Sequence, residues 1–254
     1  MDFTGKVAIS TGAASGMGLS FSKNWAELGG NVVMCDVNQQ TLAEKVAEIN
    51  AEGKGKAIGV FCDVREYTQV CNAVSEAVKC FGKIDVMVNF AGGTAVRMQQ
   101  VDREKYPEFP DVPIEVYDWG LEVNLRGPFY FAHAVLAQMR RQQSGLIVNI
   151  GSISGAEGDR YGVEYAVSKA GLMYGLTKSL AQYGAKYGIR CVCVSPGPVL
   201  TRAAMAKMKT LLGRAAEPQE IIDLILFIAS DKGQFINGEN IMIDGGRNAM
   251  RRSG

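Results

Sequence analysis

Thr11-Gly12-Ala13-Ala14-Ser15-Gly16-Met17-Gly18 is the stretch on which the reading of this chain turns. Val7 to Thr11 before it is a short apolar strand. Ser20 to Leu28 after it has helical spacing, with Phe21, Trp25 and Leu28 on one face. A glycine cluster by itself is a common structural turn. Between a strand and a helix it says more: Gly12 permits the tight turn, Gly16 lets backbone approach a pyrophosphate, and Gly18 permits close helix packing. The helix N-terminus then offers free N–H groups and a favourable dipole to an anion.

The alternation continues outward. Strands are predicted at Asn31 to Asp36, Ala57 to Cys62, Asp85 to Asn89, Gly145 to Ile150, Arg190 to Val194 and Asn240 to Ile243. Helices are predicted at Gln40 to Glu52, Val70 to Phe81, Glu115 to Arg140, Glu164 to Lys186 and Pro218 to Ala229. Strands apolar on both faces and alternating with helices predict a parallel sheet covered on both sides. The expected architecture is an α/β, doubly wound Rossmann fold with a seven-stranded, mostly parallel sheet. No linker or repeat interrupts it, so residues 1–254 read as one domain, with a cofactor half to about 150 and a catalytic and substrate half from 151.

The chain of 254 residues is 47% hydrophobic and 21% charged, with a formal net charge of +1, so nothing in the charge speaks for nucleic acid or an anionic membrane as partner. The basic end from Arg247 to Arg252 reads as a solvated tail or an oligomer contact. None of the six cysteines has C-x-x-C spacing, no metal-ligand cluster is evident, and buried small hydrophobes is the better reading of them. No cleavable leader and no apolar run of about 20 residues is seen. The cytosol is the expected compartment.

Asp36, at the end of the second strand, bears on the choice of nucleotide. A carboxylate there accepts hydrogen bonds from an adenosine ribose hydroxyl and repels a 2′-phosphate. Val37 and Asn38 follow it and Ser15 lies in the turn, so no cation stands ready for NADP and NAD is the expected cofactor.

With these residues in hand, the chain from Lys6 to Gly246 resembles the short-chain dehydrogenase/reductase family in its compact branch. The landmarks stand in register: the T-G-x-x-x-G-x-G turn, Asp63-Val64, Asn89-Phe90-Ala91-Gly92, Asn124, Ser152, Tyr165 to Lys169, Pro196-Gly197 and Asp244-Gly245-Gly246. The resemblance implies that Asp63 and Val64 bind adenine, that Asn89 and Gly92 line the cofactor cleft, and that Thr201 touches the nicotinamide amide. The expected cofactor contacts are completed by Gly12, Ser15, Gly16, Met17, Gly18, Asp36, Ala91, Pro196, Gly197 and Val199, with Tyr165 and Lys169. Phe90 departs from the family, which often has a second Asn there, and is expected to change packing only.

The chemistry is also readable from the residues. Tyr165 and Lys169 are four apart and share a helix face. A tyrosine with a pKa of about 10 is a poor base at neutral pH. A nearby ammonium and a positive nicotinamide ring are expected to favour the phenolate and lower that pKa. Tyr165 then takes the alcohol proton in oxidation or gives it in reduction. Ser152 holds the same oxygen, and Lys169 also binds ribose hydroxyls. By resemblance, Asn124 holds a water that links Lys169 to solvent. The plainer alternative for a Tyr–Lys pair is a solvated helix face. Tyr161 has no lysine four residues on, and His133 reads as structural.

Two loops belong to the carboxyl edge of the sheet. Gly93 to Pro113 carries Arg97, Asp102, Arg103 and Tyr106, which suit a polar substrate. Gly197 to Ala216 holds a possible helix, Ala203 to Leu212, with Met205 and Met208, which suit an apolar one. A sugar or polyol, a hydroxy acid and a hydroxysteroid therefore stay open as the small-molecule alcohol or ketone. A homo-oligomer, dimer or tetramer, is expected by resemblance through the two long helices, with Phe129, Phe131, Leu136, Leu172, Leu176 and Leu180 available for it or for the core. The rival functions are a non-catalytic NAD-binding sensor or scaffold and an epimerase or dehydratase. The intact Asn124, Ser152, Tyr165 and Lys169 set speaks against the first.

Overall fold

Strands that are apolar on both sides must be covered on both sides, and the chain meets this by alternation. The computed structural model describes residues 1–52 and 54–250. Its first half runs β1 (Val7–Thr11), α1 (Gly16–Glu27), β2 (Asn31–Asp36), α2 (Gln39–Ala51), β3 (Ala57–Phe61), α3 (Tyr67–Phe81) and β4 (Val86–Asn89). After β4 come α4 (Ala95–Met98), α5 (Ile114–Leu121), α6 (Gly127–Gln142) and β5 (Gly145–Ile150). The rest is α7 (Ser154–Glu157), α8 (Val163–Ala170), α9 (Thr177–Gly184), β6 (Ile189–Pro196), α10 (Pro218–Ala229) and β7 (Asn240–Ile243).

The sheet order is β3-β2-β1-β4-β5-β6-β7 and every neighbouring pair is parallel. The expected Rossmann-like α/β fold is therefore present, and the sheet is wholly parallel. Successive residues of each strand feed opposite layers. Ala8, Val32 and Met34 pack with Phe21 and Trp25 of α1 and Ile221 and Ile225 of α10. Ile9, Val33 and Cys35 pack with Val70 of α3 and Phe131 and Val135 of α6. The strand order reverses between β1 and β4, so a crevice opens past their carboxyl ends.

Three local readings need correction. The helices expected at 115–140 and 164–186 each contain a π-helical turn, Glu122–Arg126 and Gly171–Leu176. The helix expected from Ala203 to Leu212 is only a 3-10 turn, Ala203–Lys207. The 93–113 loop is not structureless: it carries α4, a 3-10 turn at Phe109–Asp111, and an apolar cluster of Val96, Val112 and Tyr117 of α5, with Tyr106 against it.

Cys35, Cys62, Cys191 and Cys193 are buried, Cys71 is half-buried and Cys80 exposed. Phe90 packs beside Phe21, ring centroids 5.6 Å apart, which is the packing role expected of it. His133 Nδ1 shares a hydrogen bond of 2.6 Å with the Tyr67 hydroxyl. Of the basic end, Arg251 and Arg252 lie outside the described residues. Arg247 is no solvated tail, since it pairs with Glu157 at 3.0 Å. Among the described residues no helix is long and apolar enough to cross a membrane, and no group of three His, Cys, Asp or Glu could hold a metal.

Candidate active site

The crevice at the carboxyl edge is a cleft of about 880 Å³. Its floor at one end is the glycine turn. Gly12 and Gly16 take φ of +60° and +56°, left-handed values that favour glycine. Gly18 has no room for a side chain, because a Cβ would stand 2.4 Å from the Gly12 carbonyl oxygen and 2.8 Å from that of Thr11. Ser15 is extended and no side chain caps α1, so the first-turn N–H groups keep their capacity for an anion. A cradle that only glycine fits, at an uncapped helix start, suits a dinucleotide pyrophosphate.

Asp36 ends β2 at the rim of the same cleft. Its Oδ2 accepts the Ala14 N–H at 3.0 Å and its Oδ1 the Asn38 N–H at 2.9 Å. Those bonds aim the carboxylate and leave lone pairs for a ribose hydroxyl. Among the described residues, the one cation lining this end is Arg65, and it is held by Asp63, with Nη2 2.6 Å from Oδ2. Asp63 is partly desolvated, which raises its pKa, but the Arg65 hydrogen bonds and charge outweigh this and hold it below the ordinary value. The Asp63 carboxylate, expected at the adenine, is thus engaged by a neighbour that the sequence reading did not use.

Gly12, Ser15, Gly16, Met17, Gly18, Asp36, Asp63, Val64, Ala91, Gly92, Pro196, Gly197, Val199 and Thr201 all line the cleft, as do Ser152 and Tyr165. Asn89 is buried behind the wall, donating from Nδ2 to Asn149 Oδ1 at 3.0 Å. That bond ties β4 to β5.

The other end of the cleft joins β5 to α8. Ser152 follows β5 and hydrogen-bonds the Tyr165 hydroxyl. Lys169, one turn on, is 4% exposed. Its Nζ donates to the Ile150 carbonyl at 2.7 Å and lies 5.3 Å from the centre of the Tyr165 ring. Burial without a carboxylate partner pushes the lysine down to about 8. Tyr165 departs from expectation. Burial raises its phenol above the ordinary value, against the Ser152 hydrogen bond and the charges of Arg97 and Arg202, while Asp159 adds to the rise. Arg97 and Arg202 thus join Lys169 as cations near the phenol, and the sequence reading had invoked Lys169 alone.

Asn124 sits in the π-helical turn after α5 and is fully buried. Its Oδ1 accepts the Gly93 N–H at 2.9 Å, and its Nδ2 donates to the carbonyls of Gly93 at 2.9 Å and Gly120 at 2.8 Å. A side chain at Gly92 would strike Asn124 Oδ1 at 2.5 Å and approach Lys169 Nζ at 3.6 Å, so Asn124 and Lys169 are neighbours. Pro128, four residues on, has no N–H to offer the Asn124 carbonyl. That carbonyl lacks the donor an α-helix supplies and is suited to hold a water. The second π-helical turn begins two residues after Lys169. Both irregular turns thus abut the proposed catalytic group, a common place for them.

The loops divide unequally. Of the four residues singled out in 93–113, only Arg97 reaches the cleft. Asp102 accepts the N–H of Glu104, Arg103 donates to the Pro107 carbonyl, and Tyr106 joins the apolar cluster. The 197–216 segment is pinned at its base by Leu200 and Ala216, N to O 2.9 Å, and presents Arg202, Met205 and Met208 to the cleft. Arg202, Asp159 and Glu164 were not anticipated. Glu164 is buried beside Tyr165; its Oε1 accepts the Ala95 N–H at 2.8 Å, tying α8 to α4, and its Oε2 has no partner. A signal for Arg202 existed, since a cation follows both β4 and β6 at the same sheet edge.

A family model described as Enoyl-(Acyl carrier protein) reductase matches residues 12–248. The chain belongs to the short-chain dehydrogenase/reductase family. Similar relatives span nearly its whole length. A trans-4-hydroxycyclohexanecarboxylate dehydrogenase of Sinomonas cyclohexanicum is 39% identical, covering 96% of this chain and 93% of the relative. A 7alpha-hydroxysteroid dehydrogenase of Bacteroides fragilis is 35% identical, covering 96% and 95%. A cyclopentanol dehydrogenase of Comamonas sp. is 34% identical, covering 96% and 97%. The short-chain dehydrogenases work with a nicotinamide cofactor, NAD or NADP.

The crowding at Gly18 yields a direct expectation for this member of the family. Gly18→Ala forces backbone apart in the cradle, at a cost of about 1–3 kcal/mol. Titration with NADH should show affinity reduced by about tenfold or more. Unchanged affinity would mean that the turn is not the pyrophosphate seat.

Proposed function

We propose that the protein interconverts a secondary alcohol and its ketone with NAD(H), using Tyr165 as the general acid and base. The observation that carries the reading is the continuity of one cleft, from the Asp36 end of the glycine cradle to the Ser152–Tyr165 pair. A nicotinamide cofactor held by the glycine cradle and Asp36 would supply the acceptor for the hydride of the alcohol carbon, and in reduction its donor. Ser152 and Tyr165 hold the substrate oxygen by hydrogen bonds. Tyr165 takes its proton in oxidation and gives one in reduction. Lys169 holds ribose hydroxyls, and with Asn124 it leads the proton towards solvent. Relatives named for hydroxysteroid, cyclopentanol and hydroxycyclohexanecarboxylate substrates support a cyclic alcohol.

NAD is favoured over NADP because the Asp36 carboxylate lies at the rim of the cleft with lone pairs to spare, and Arg65 is already bound by Asp63. The test is NADH or NADPH formation with a hydroxysteroid, a hydroxycyclohexanecarboxylate and cyclopentanol. Turnover with NAD is expected, and absence of turnover with tight NADH binding would favour a sensor. Asp36→Ala should shrink the preference for NAD by about a hundredfold, since opposed like charges cost several kcal/mol. A preference for NADP in the wild type would overturn the reading of Asp36.

The protein is also proposed to act in the cytosol as a homo-oligomer. Phe131 and Leu172 are spent on the core, but Phe129, Val167 and Tyr174 stand exposed along the two long helices and fit such a contact.

A further inference from the structure

Arginine side chains in this protein are almost all satisfied internally. Among the described residues, every arginine except Arg97 and Arg202 donates a side-chain N–H to a protein oxygen. Arg202 reaches only the Met205 sulfur, at 3.8 Å, and neither arginine joins an ion pair. Both line the same cleft, from different loops, and both act on the Tyr165 hydroxyl. Burial, and after it repulsion from Arg202, holds Arg97 below its ordinary value. The acidic residue on that wall, Asp159, is turned to its own loop, its Oδ1 accepting the N–H groups of Tyr161 and Gly162. Two unpaired guanidinium groups left beside a catalytic phenol have no structural task here.

The cleft also has an apolar part. Met98, Met205, Met208 and Ile153 line the space around the two arginines. A ligand that satisfies both halves has an apolar body and one anionic end. We propose that the substrate is a hydroxy- or oxocarboxylate whose carboxylate is clamped by Arg97 and Arg202 while its hydroxyl or carbonyl lies at Tyr165. A guanidinium fork matches a carboxylate with two parallel hydrogen bonds, and charge-assisted bonds are about twice as strong as neutral ones. The two arginines reach the cleft from different loops, so a carboxylate between them contacts both. The conflict between charged and methionine-rich loop residues disappears, since each contacts a different part of one molecule.

The inference rests on the proposed alcohol–ketone chemistry for its placement of the substrate, so its test is a binding measurement that needs no turnover. NADH-loaded protein is titrated with cyclohexanecarboxylate and, separately, with its neutral isostere cyclohexanecarboxamide. The carboxylate is expected to bind at least about tenfold more tightly. Arg97→Gln and Arg202→Gln should each remove most of that preference, and NADH affinity should fall far less than carboxylate affinity. Equal binding of the two probes by the wild type would overturn the proposal, as would a preference that survives both substitutions. Loss of NADH affinity as large as that for the carboxylate would also overturn it, by assigning the arginines to cofactor phosphate. A protein that binds the carboxylate selectively yet oxidises no alcohol would keep the carboxylate clamp and sink the proposed function.

Discussion

Replacing Tyr165 with Phe should lower kcat/KM for alcohol oxidation by about 10²- to 10⁴-fold, the range that a positioned general acid or base supplies. The substitution removes one oxygen from the end of the cleft and leaves the ring, α8 and the glycine cradle in place. NADH affinity, read by titration, should therefore stay within a few-fold. A variant that kept a tenth of its activity would remove Tyr165 from the mechanism. The pH profile adds a second readout. Because burial raises the phenol above its ordinary value, the neutral form dominates near pH 7 in the empty site. That form is ready to give a proton, so ketone reduction should run well at neutral pH and decline as pH rises. Alcohol oxidation needs the phenolate and should climb with pH over the same range. Both slopes should vanish in the Phe variant.

Lys169→Met should also abolish most turnover, and with an unusual companion effect on stability. Lys169 is buried with one carbonyl as its partner, and its pKa falls from 10.5 to about 8. Between those values the unfolded chain binds more protons than the folded one, so wild-type stability rises with pH through that window. Below about pH 8 the full cost of burying the ammonium is present, on the order of 3 kcal/mol. Methionine removes that cost but leaves the Ile150 carbonyl without its donor, a loss of about 1–3 kcal/mol. At pH 7 the cofactor-free variant should match the wild type or exceed it by up to about 2 kcal/mol. Above about pH 10.5 the charge advantage is gone, and the wild type should be the more stable of the two. Urea unfolding at pH 7 and near pH 10.5 measures both. A variant much weaker at pH 7, or a difference that ignores pH, would show that the buried charge carries no such cost. Stability given up for a catalytic ammonium is a familiar exchange at functional sites.

The fold was largely written in local pattern. Val7–Thr11, Asn31–Asp36, Gly145–Ile150 and Asn240–Ile243 are strands whose limits follow from apolar runs closed by Gly, Asp or charged residues. Pro218–Ala229 is a helix for a reason equally local, since proline opens it and its apolar spacing is helical. Parallel strands buried on both faces leave little ambiguity, and the glycine cradle follows from the strand and helix around it. Tyr165 and Lys169 could be paired from their spacing alone, because four residues on a helix is one turn.

What sequence alone could not supply is whatever depends on several distant segments meeting. The π-helical turns at Asn124 and after Lys169 interrupt a helical pattern that reads as continuous in the sequence. The direction of the Tyr165 shift depends on how much water the fold removes from its hydroxyl, a quantity that no spacing encodes. Arg97 and Arg202 lie on different loops, after β4 and β6, and only closure of the sheet edge brings them to one phenol. Local pattern determined the sheet, the cradle and the choice of Tyr165 and Lys169 as the proposed reacting pair, because each is set by neighbours in the chain. The charge around that pair, and with it the kind of substrate the cleft accepts, was decided by long-range packing, because electrostatic fields add through space and not along sequence.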